Sequence, residues 1–298
     1  MVNLADVPVR PSFPRTIPFV GVALLLGVVS GTGGAFLRDY WDKTLRNIDD
    51  LVNDVEVPVL ARIPVERGLA RANFMLRVSD DGTQFREAIR ALYAHLQLKT
   101  GIRTVLITST APREGKTSVS VALAYFAAAA AHRVLLIEAD LRMPVFSQIM
   151  PLHGDGLEGY LTSSPTELPI EVPYRQVPHF HVLPAGRSAQ NSTELLSNAR
   201  TTALLSIVRE KYDYVIIDTP PANFVMDACI LARSTDGVIF VAKWGWSQPD
   251  LMRSTMRALR EAGGNIIGTV IGMVEYKRMY SMYGNIPPPA KRDYIEYQ

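Results

Sequence analysis

The sequence predicts an α/β protein: a mostly parallel sheet with helices on both faces, preceded by one transmembrane helix and followed by a flexible tyrosine-bearing tail. Three observations carry this. Apolar runs rich in β-branched residues recur at Val105–Thr108, Val134–Ala139, Val215–Ile217, Val238–Ala242 and Ile266–Val274. Helix-like stretches separate them, at Lys116–Ala131, Thr193–Tyr212, Met226–Arg233 and Pro249–Ala262, with an amphipathic helix over Phe85–Leu98 ahead of the first strand. Continuous apolar strands that alternate with helices form a parallel sheet buried on both faces. Finally, Ile17–Leu37 carries no charge and is bracketed by Arg15 and Arg38; a bilayer takes about 20 apolar residues to cross.

Taken from the beginning, residues 1–16 are proline-rich, with Pro8, Pro11 and Pro14, and are expected outside the cytoplasm. The span over residues 17–37 holds five glycines. They would weaken a soluble helix, whereas membrane helices tolerate them. A cleaved signal peptide is the alternative, and it would export the domain that follows. Gly27 and Gly31 have the GxxxG spacing of close helix pairs. Arg38, Lys43 and Arg46 follow the span while Arg10 and Arg15 precede it, which favours the C-terminal side as cytoplasmic. Residues 38–82 read as a polar juxtamembrane segment with one apolar run, Val57–Ile63, interrupted by Pro58 and Arg62. Residues 83–275 form the globular domain, in which Ser247 and Asp250 are expected to cap the last helix. Residues 276–298 form the tail. It holds five of the twelve tyrosines and the run Pro287–Pro289, a composition that suits a flexible strand. Lys and Arg number 31 against 29 Asp and Glu, with no long basic block, so nucleic acid is not an expected partner. The single cysteine, Cys229, allows no internal disulfide and fits a buried apolar position in a reducing compartment.

The chemistry concentrates at three strand ends. Thr110-Ala-Pro-Arg-Glu-Gly115-Lys116-Thr117 follows Val105–Thr108 and opens a helix. That context makes a phosphate-binding loop, and the fold is then of the P-loop NTPase type. Ala111, Pro112, Arg113, Glu114, Gly115, Lys116, Thr117 and Ser118 are expected to cradle phosphates, with Lys116 on the β- and γ-phosphates and the Thr117 hydroxyl on Mg²⁺. Thr110 stands where the pattern has its first glycine, so three of four fixed positions match. Tyr214-Val-Ile-Ile-Asp218-Thr-Pro-Pro221 is an apolar strand ending in an acid, which places Asp218 where open α/β sheets bind ligands. Leu135-Leu-Ile-Glu138-Ala-Asp140-Leu-Arg142-Met-Pro144 delivers two carboxylates spaced by two, with Arg142 beside them. A nucleotide site built on ATP and Mg²⁺ follows.

These residues resemble the bacterial tyrosine kinases of the capsular and exopolysaccharide chain-length-determinant family. The resemblance covers the proline-rich start, the span, Val57-Pro-Val-Leu-Ala-Arg-Ile-Pro64, the phosphate loop, the Glu138 segment, Leu183-Pro-Ala-Gly186 with Asn191 and Glu194-Leu-Leu196, Asp218-Thr-Pro-Pro221 with Asp227-Ala228, and the tail. It implies transfer of the ATP γ-phosphate to Tyr280, Tyr283, Tyr294 and Tyr297 of a neighbouring copy, controlling polysaccharide polymerisation and export proteins at the inner membrane. By position it implies that Thr117, Asp140 and Asp218 arrange the Mg²⁺ shell, that Glu138 occupies the place of an aspartate proposed as general base, and that Arg142 stabilises its loop or contacts phosphate. Glu87 and Arg90 correspond to a helix motif linked to ring assembly. Four departures stand out: Glu138 for aspartate, Arg113 for a loop glycine, Tyr93 for the motif's last arginine, and Gly272 for an asparagine common near the adenine. A misplaced reacting group costs about 10²-fold in rate per ~1 Å, so the longer Glu138 is expected to slow transfer. The family's extracytoplasmic domain and earlier span are missing from this sequence, which fits either a split form with a separately encoded partner or a displaced start. Two other readings are a non-catalytic nucleotide-binding scaffold of the same machinery and a partitioning ATPase. Against the second, Ala111 stands where that class has a signature lysine.

Overall fold

The structure, a computed structural model, describes residues 16–41, 57–65, 83–146, 156–163, 172–173 and 177–276. It divides into two units, Met1–Lys43 and Thr44–Gln298. The first contains the helix α1, Thr16–Trp41, whose stretch Phe19–Leu37 is long and apolar enough to cross a membrane. None of that stretch is buried against protein.

The second unit is built on an eight-stranded sheet. In chain order its elements are β1 (Val59–Pro64), α2 (Gln84–Gln97), β2 (Thr104–Ser109), α3 (Lys116–Ala129), β3 (Val134–Glu138), α4 (Gly156–Thr162), β4 (Val172–Pro173), β5 (Phe180–Leu183), α5 (Ser192–Ser197), α6 (Ala199–Lys211), β6 (Tyr214–Asp218), α7 (Asp227–Ala232), β7 (Gly237–Lys243), α8 (Pro249–Glu261) and β8 (Ile266–Val274). The strands lie in the order β1-β8-β7-β2-β6-β3-β5-β4, all parallel except β4, which runs antiparallel to β5.

Side chains alternate across a strand, and here both faces are core. Val105 and Ile107 of β2 join Val134 and Leu136 of β3 in one cluster with α2 and α3. Leu106, Leu135 and Ile137 point to the other, with Leu204 and Val208 of α6 and Met252, Met256 and Leu259 of α8. Two-sided burial explains why the strands read as continuous apolar runs. It also sets where ligands go, since loops leaving the carboxyl ends of such strands line one edge. β2 is paired in register with β6, Ile107 facing Asp218, and β6 with β3, Asp218 facing Glu138.

Several expectations are corrected. The run Val57–Ile63, assigned to the juxtamembrane segment, contributes β1, which pairs with β8 and belongs to the sheet. Gly268 makes this pairing close, since a Cβ there would fall 2.2 Å from Leu60 Cγ. The helix expected over Thr193–Tyr212 is two, broken where Asn198 is extended (ψ 151°) and its side chain caps α6. Ser247 does not cap α8. The cap residue is Gln248 with Pro249 behind it, and Ser247 is spent on the phosphate loop. The other expected helices and strands form within a few residues of their predicted bounds.

Candidate functional site

The loop between β2 and α3 turns on Gly115, whose φ of +95° suits a residue without a Cβ. Arg113 adopts φ +65° with a full side chain, a left-handed conformation that costs about 1–2 kcal/mol. The residue is exposed. Thr110 is not among the positive-φ residues, so the backbone there does not demand the usual glycine. Its hydroxyl is buried without a hydrogen-bond partner.

Two carboxylates organise the loop from behind. Glu114, fully buried, accepts the Ala111 N–H at 2.7 Å and the hydroxyl of Ser247. Ser247 Oγ in turn accepts the Lys243 N–H at 2.7 Å, which ties the loop to the end of β7. Asp218, also buried, accepts Thr117 Oγ1 and Ser120 Oγ, each at 2.9 Å. Ser120 lies one turn beyond Thr117 on the same face of α3. That spacing was legible in the sequence, although Ser120 was not singled out. The end of β8 approaches the loop from the other side. A Cβ on Gly272 would lie 3.3 Å from the Glu114 carbonyl, and Met273 Cε would lie 3.7 Å from one on Gly115.

Burial and charge are opposed at this point. Lys116 is 8% exposed; burial lowers its pKa, against Asp218, Asp140 and Glu114, whose charges favour the ammonium. Burial raises Asp140, against a hydrogen bond from the Met143 N–H at 3.0 Å and the charge of Lys116. Burial pushes Asp218 up to about 7, against Lys116 and the two hydroxyl donors. Lys116, Thr117, Asp140 and Asp218 therefore share one electrostatic environment. No cluster of three or more His, Cys, Asp or Glu side chains occurs among the described residues. The donor set still fits Mg²⁺, which takes one or two carboxylates and completes its shell with water and phosphate.

Glu138 and Arg142 are placed differently. The Glu138 side chain is 1% exposed. One oxygen accepts the N–H groups of Val145 and Phe146 (2.8 Å for Phe146), the other that of Ala185 at 3.0 Å. Both oxygens are thus bound to backbone amides of the loops after β3 and β5. Burial raises its pKa against those three bonds. Of the two roles expected for Arg142, the geometry gives it the loop. It pairs with Asp227 at 3.3 Å and donates to Thr193 Oγ1 at 3.0 Å and the Gln190 carbonyl at 3.4 Å. Asp227, fully buried, also accepts from Ser192 and Thr193, so it knits the loop after β3 to α5 and α7.

Glu87 and Arg90 form an exposed i,i+3 pair at 3.2 Å on α2. Tyr93 instead faces inward, its ring 5.5 Å from that of Phe126 and 6.1 Å from that of Tyr214. Burial and its neighbour Tyr214 push its pKa up to about 12. It therefore does not continue the exposed surface of Glu87 and Arg90. Tyr280, Tyr283, Tyr294 and Tyr297 lie outside the described residues.

A parallel sheet whose central strand feeds a Gly-Lys-Thr loop, with carboxylates at the ends of the next strands, defines a P-loop NTPase-type protein. The AAA domain family model matches residues 104–247. The chain is 32% identical over 211 residues to the tyrosine-protein kinase CpsD of Streptococcus agalactiae, covering 70% of this chain and 90% of that one. It is 31% identical over 302 residues to the putative tyrosine-protein kinase EpsB of Ralstonia nicotianae, covering 96% of this chain. The kinase domain of the Escherichia coli tyrosine kinase ETK superposes with a TM-score of 0.70 at 30% identity, covering 76% of this chain and 94% of that one. The chain belongs to the bacterial tyrosine kinase family. It spans about two-fifths of the length of EpsB and of other curated relatives that it matches.

Proposed function

We propose that this chain is an ATP-dependent protein-tyrosine autokinase. It transfers the γ-phosphate of ATP to C-terminal tyrosines of a neighbouring copy, at Tyr280, Tyr283, Tyr294 and Tyr297, and so regulates polymerisation and export of an exopolysaccharide or capsule. The observation that carries the reading is the Thr117–Asp218 bond beside buried Lys116, which unites the phosphate loop with the end of β6. Bound ATP supplies the phosphoryl group, and Mg²⁺ offsets the charge of its oxygens. Lys116 and the backbone amides of residues 113–118 would hold the phosphates; Thr117 and Asp218 would hold the metal. A tyrosine hydroxyl has a pKa of about 10 and attacks better as it loses its proton. Asp140, more exposed than Glu138 and coupled to Lys116, takes that proton as the phenolic O–P bond forms, the bond to the bridging oxygen breaks and ADP leaves. Glu138 and Arg142 position the loop that presents Asp140.

Residues 17–37 anchor the chain in the inner membrane as a single pass, with residues 1–16 outside and residues 83–275 on the cytoplasmic side, where ATP is available. Polysaccharide polymerisation and export proteins are the partners, and Glu87 with Arg90 contacts another copy in a homo-oligomer. A second reading, a nucleotide-binding scaffold with weak or no transfer, is favoured by the engagement of both Glu138 oxygens with backbone. One experiment separates the two. The purified chain, incubated with ATP and Mg²⁺, is expected to acquire phosphotyrosine in residues 276–298 by mass spectrometry, and Lys116→Ala to abolish it. Tight ATP binding without tail phosphorylation would leave the scaffold.

A further inference from the structure

The carboxyl edge of the sheet holds Glu138, Asp140, Asp218 and Asp227. The opposite, amino edge is a different surface. All the parallel strands start there, so β1 brings the chain into the sheet at that edge, at Val57-Pro58. The acids of the amino edge are turned inward. Asp236 accepts the N–H groups of Arg103 and Thr104 at 3.0 and 2.8 Å, and its side chain is 12% exposed; Asp213 accepts the Arg133 N–H at 2.8 Å. The bases beside them project. Arg209, which pairs with Asp236, is 49% exposed, and Lys99 and Arg103 are exposed and join no ion pair among the described residues. The water-facing side of this edge is therefore basic.

Charge alone would make an ordinary solvated surface, but the turn from α2 to β2 adds an apolar element. Leu98 ends α2 and, at 81%, is the most exposed large apolar side chain among the described residues. Lys99 follows it, and Gly101, with φ of +83°, turns the chain back to Ile102 and Arg103. Under the turn lies an open groove of about 440 Å³, whose lining includes Leu98, Lys99, Ile102, Ile266 and the entry residue Pro58. An apolar tip flanked by bases suits a lipid surface: the apolar group enters the acyl boundary while the charged heads stay at the phosphates.

We propose that the Leu98–Arg103 turn is a membrane-contact site, with Leu98 inserted at the headgroup boundary and Lys99 and Arg103 on the phosphates of anionic lipids. This rests on the reading of residues 17–37 as a membrane anchor. The place of the turn favours lipid over a second copy of the chain. Pro58, where the chain arrives from the apolar span, lines the same groove as Leu98 and Lys99. Two bases and one leucine bind lipid weakly by themselves. A tether that enters at this edge makes the encounter intramolecular, so weak contacts suffice. With the amino edge on the bilayer, the nucleotide edge is left facing water.

The test uses the full chain in nanodiscs, one copy per disc, made of phosphatidylcholine alone or with about 30 mol% phosphatidylglycerol. Thr100→Cys carries a polarity-sensitive fluorophore; Cys229 is buried, so the introduced thiol takes the label. In the anionic discs the label is expected to brighten roughly twofold or more and to be quenched by acyl-chain spin labels. Phosphatidylcholine discs, and a label at Ser254→Cys on α8, should give neither. Lys99→Glu with Arg103→Glu should remove the response and leave Mg²⁺–ATP binding as in wild type, which shows that the variant is folded. An equal response in both lipids, or none in either, overturns the proposal. So does a response that about 10 mM inorganic phosphate abolishes at constant ionic strength, which would mark a free-anion site. A response that needs several copies per disc would make the turn a contact between copies and overturn it as well. Alkaline carbonate extraction tests the anchor separately. If the chain is retained while the label stays silent, the anchor stands and the contact site falls. If the chain is extracted, yet the label responds when the chain is added to anionic vesicles, the contact site stands and the anchor falls.

Discussion

Asp218 ends β6 with two hydroxyls bonded to it and its pKa pushed up to about 7 from the ordinary 3.8. The folded, nucleotide-free protein thus retains a proton that the unfolded chain releases between about pH 4 and pH 7. Its stability is expected to fall as pH rises through that window, by at most about 1.4 kcal/mol per pH unit from this group. A metal requires the ionised form, so Mg²⁺–ATP binding near pH 6 is expected to release close to one proton and above about pH 8 almost none. Calorimetry in buffers of different ionisation enthalpy measures this, and Asp218→Asn should remove the release. Glu138 makes a separable prediction. Glu138→Gln turns an amino group toward a backbone donor, which is expected to cost about 1–3 kcal/mol in denaturant unfolding. Asp140→Asn should keep the fold and abolish transfer. If Glu138→Gln abolished transfer at unchanged stability, the base would be Glu138 after all. From the sequence, the resemblance put Glu138 in the place of the base and Asp140 in the metal shell. Which of them faces the pocket depends on where residues 145, 146 and 185 bring their amides, and no spacing encodes that.

At the level of elements, local rules served where local physics dominates. Thr83 accepts the Arg86 N–H at 3.2 Å and starts α2, which buries Phe85, Ile89, Leu92 and Leu96 against the sheet. Thr83→Ala is expected to lower stability by about 1 kcal/mol, read as a shift in the denaturant midpoint at constant slope. The strand that feeds the phosphate loop, and the loop itself, were legible because burial on both faces imposes an apolar run and the loop needs its glycine and lysine at fixed offsets. β1 was not, since Pro58 and Arg62 interrupt its pattern and only its pairing with β8 makes it a strand. Ser247 was misread for a similar reason. Its sequence neighbours suggest a helix cap, but its partner Glu114 is 133 residues away.

Across the whole molecule, α1 presents an apolar surface with no protein cover. The chain is therefore expected to fractionate with membranes and resist alkaline carbonate, and Leu25→Arg with Val29→Arg, each arginine costing about 2.5–3.5 kcal/mol at mid-span, to shift it toward the soluble fraction. By itself the sequence determined the apolar span, the alternation that makes a parallel sheet, and the identities of Lys116, Thr117, Asp140 and Asp218, because hydrophobic periodicity and loop chemistry act over a few residues. Tertiary structure alone decided that Glu138 clamps a loop, that Arg142 serves Asp227 and that Tyr93 turns inward. Those outcomes depend on which distant backbone amides, carboxylates and rings the sheet order brings within about 3–6 Å, a distance that no local pattern specifies.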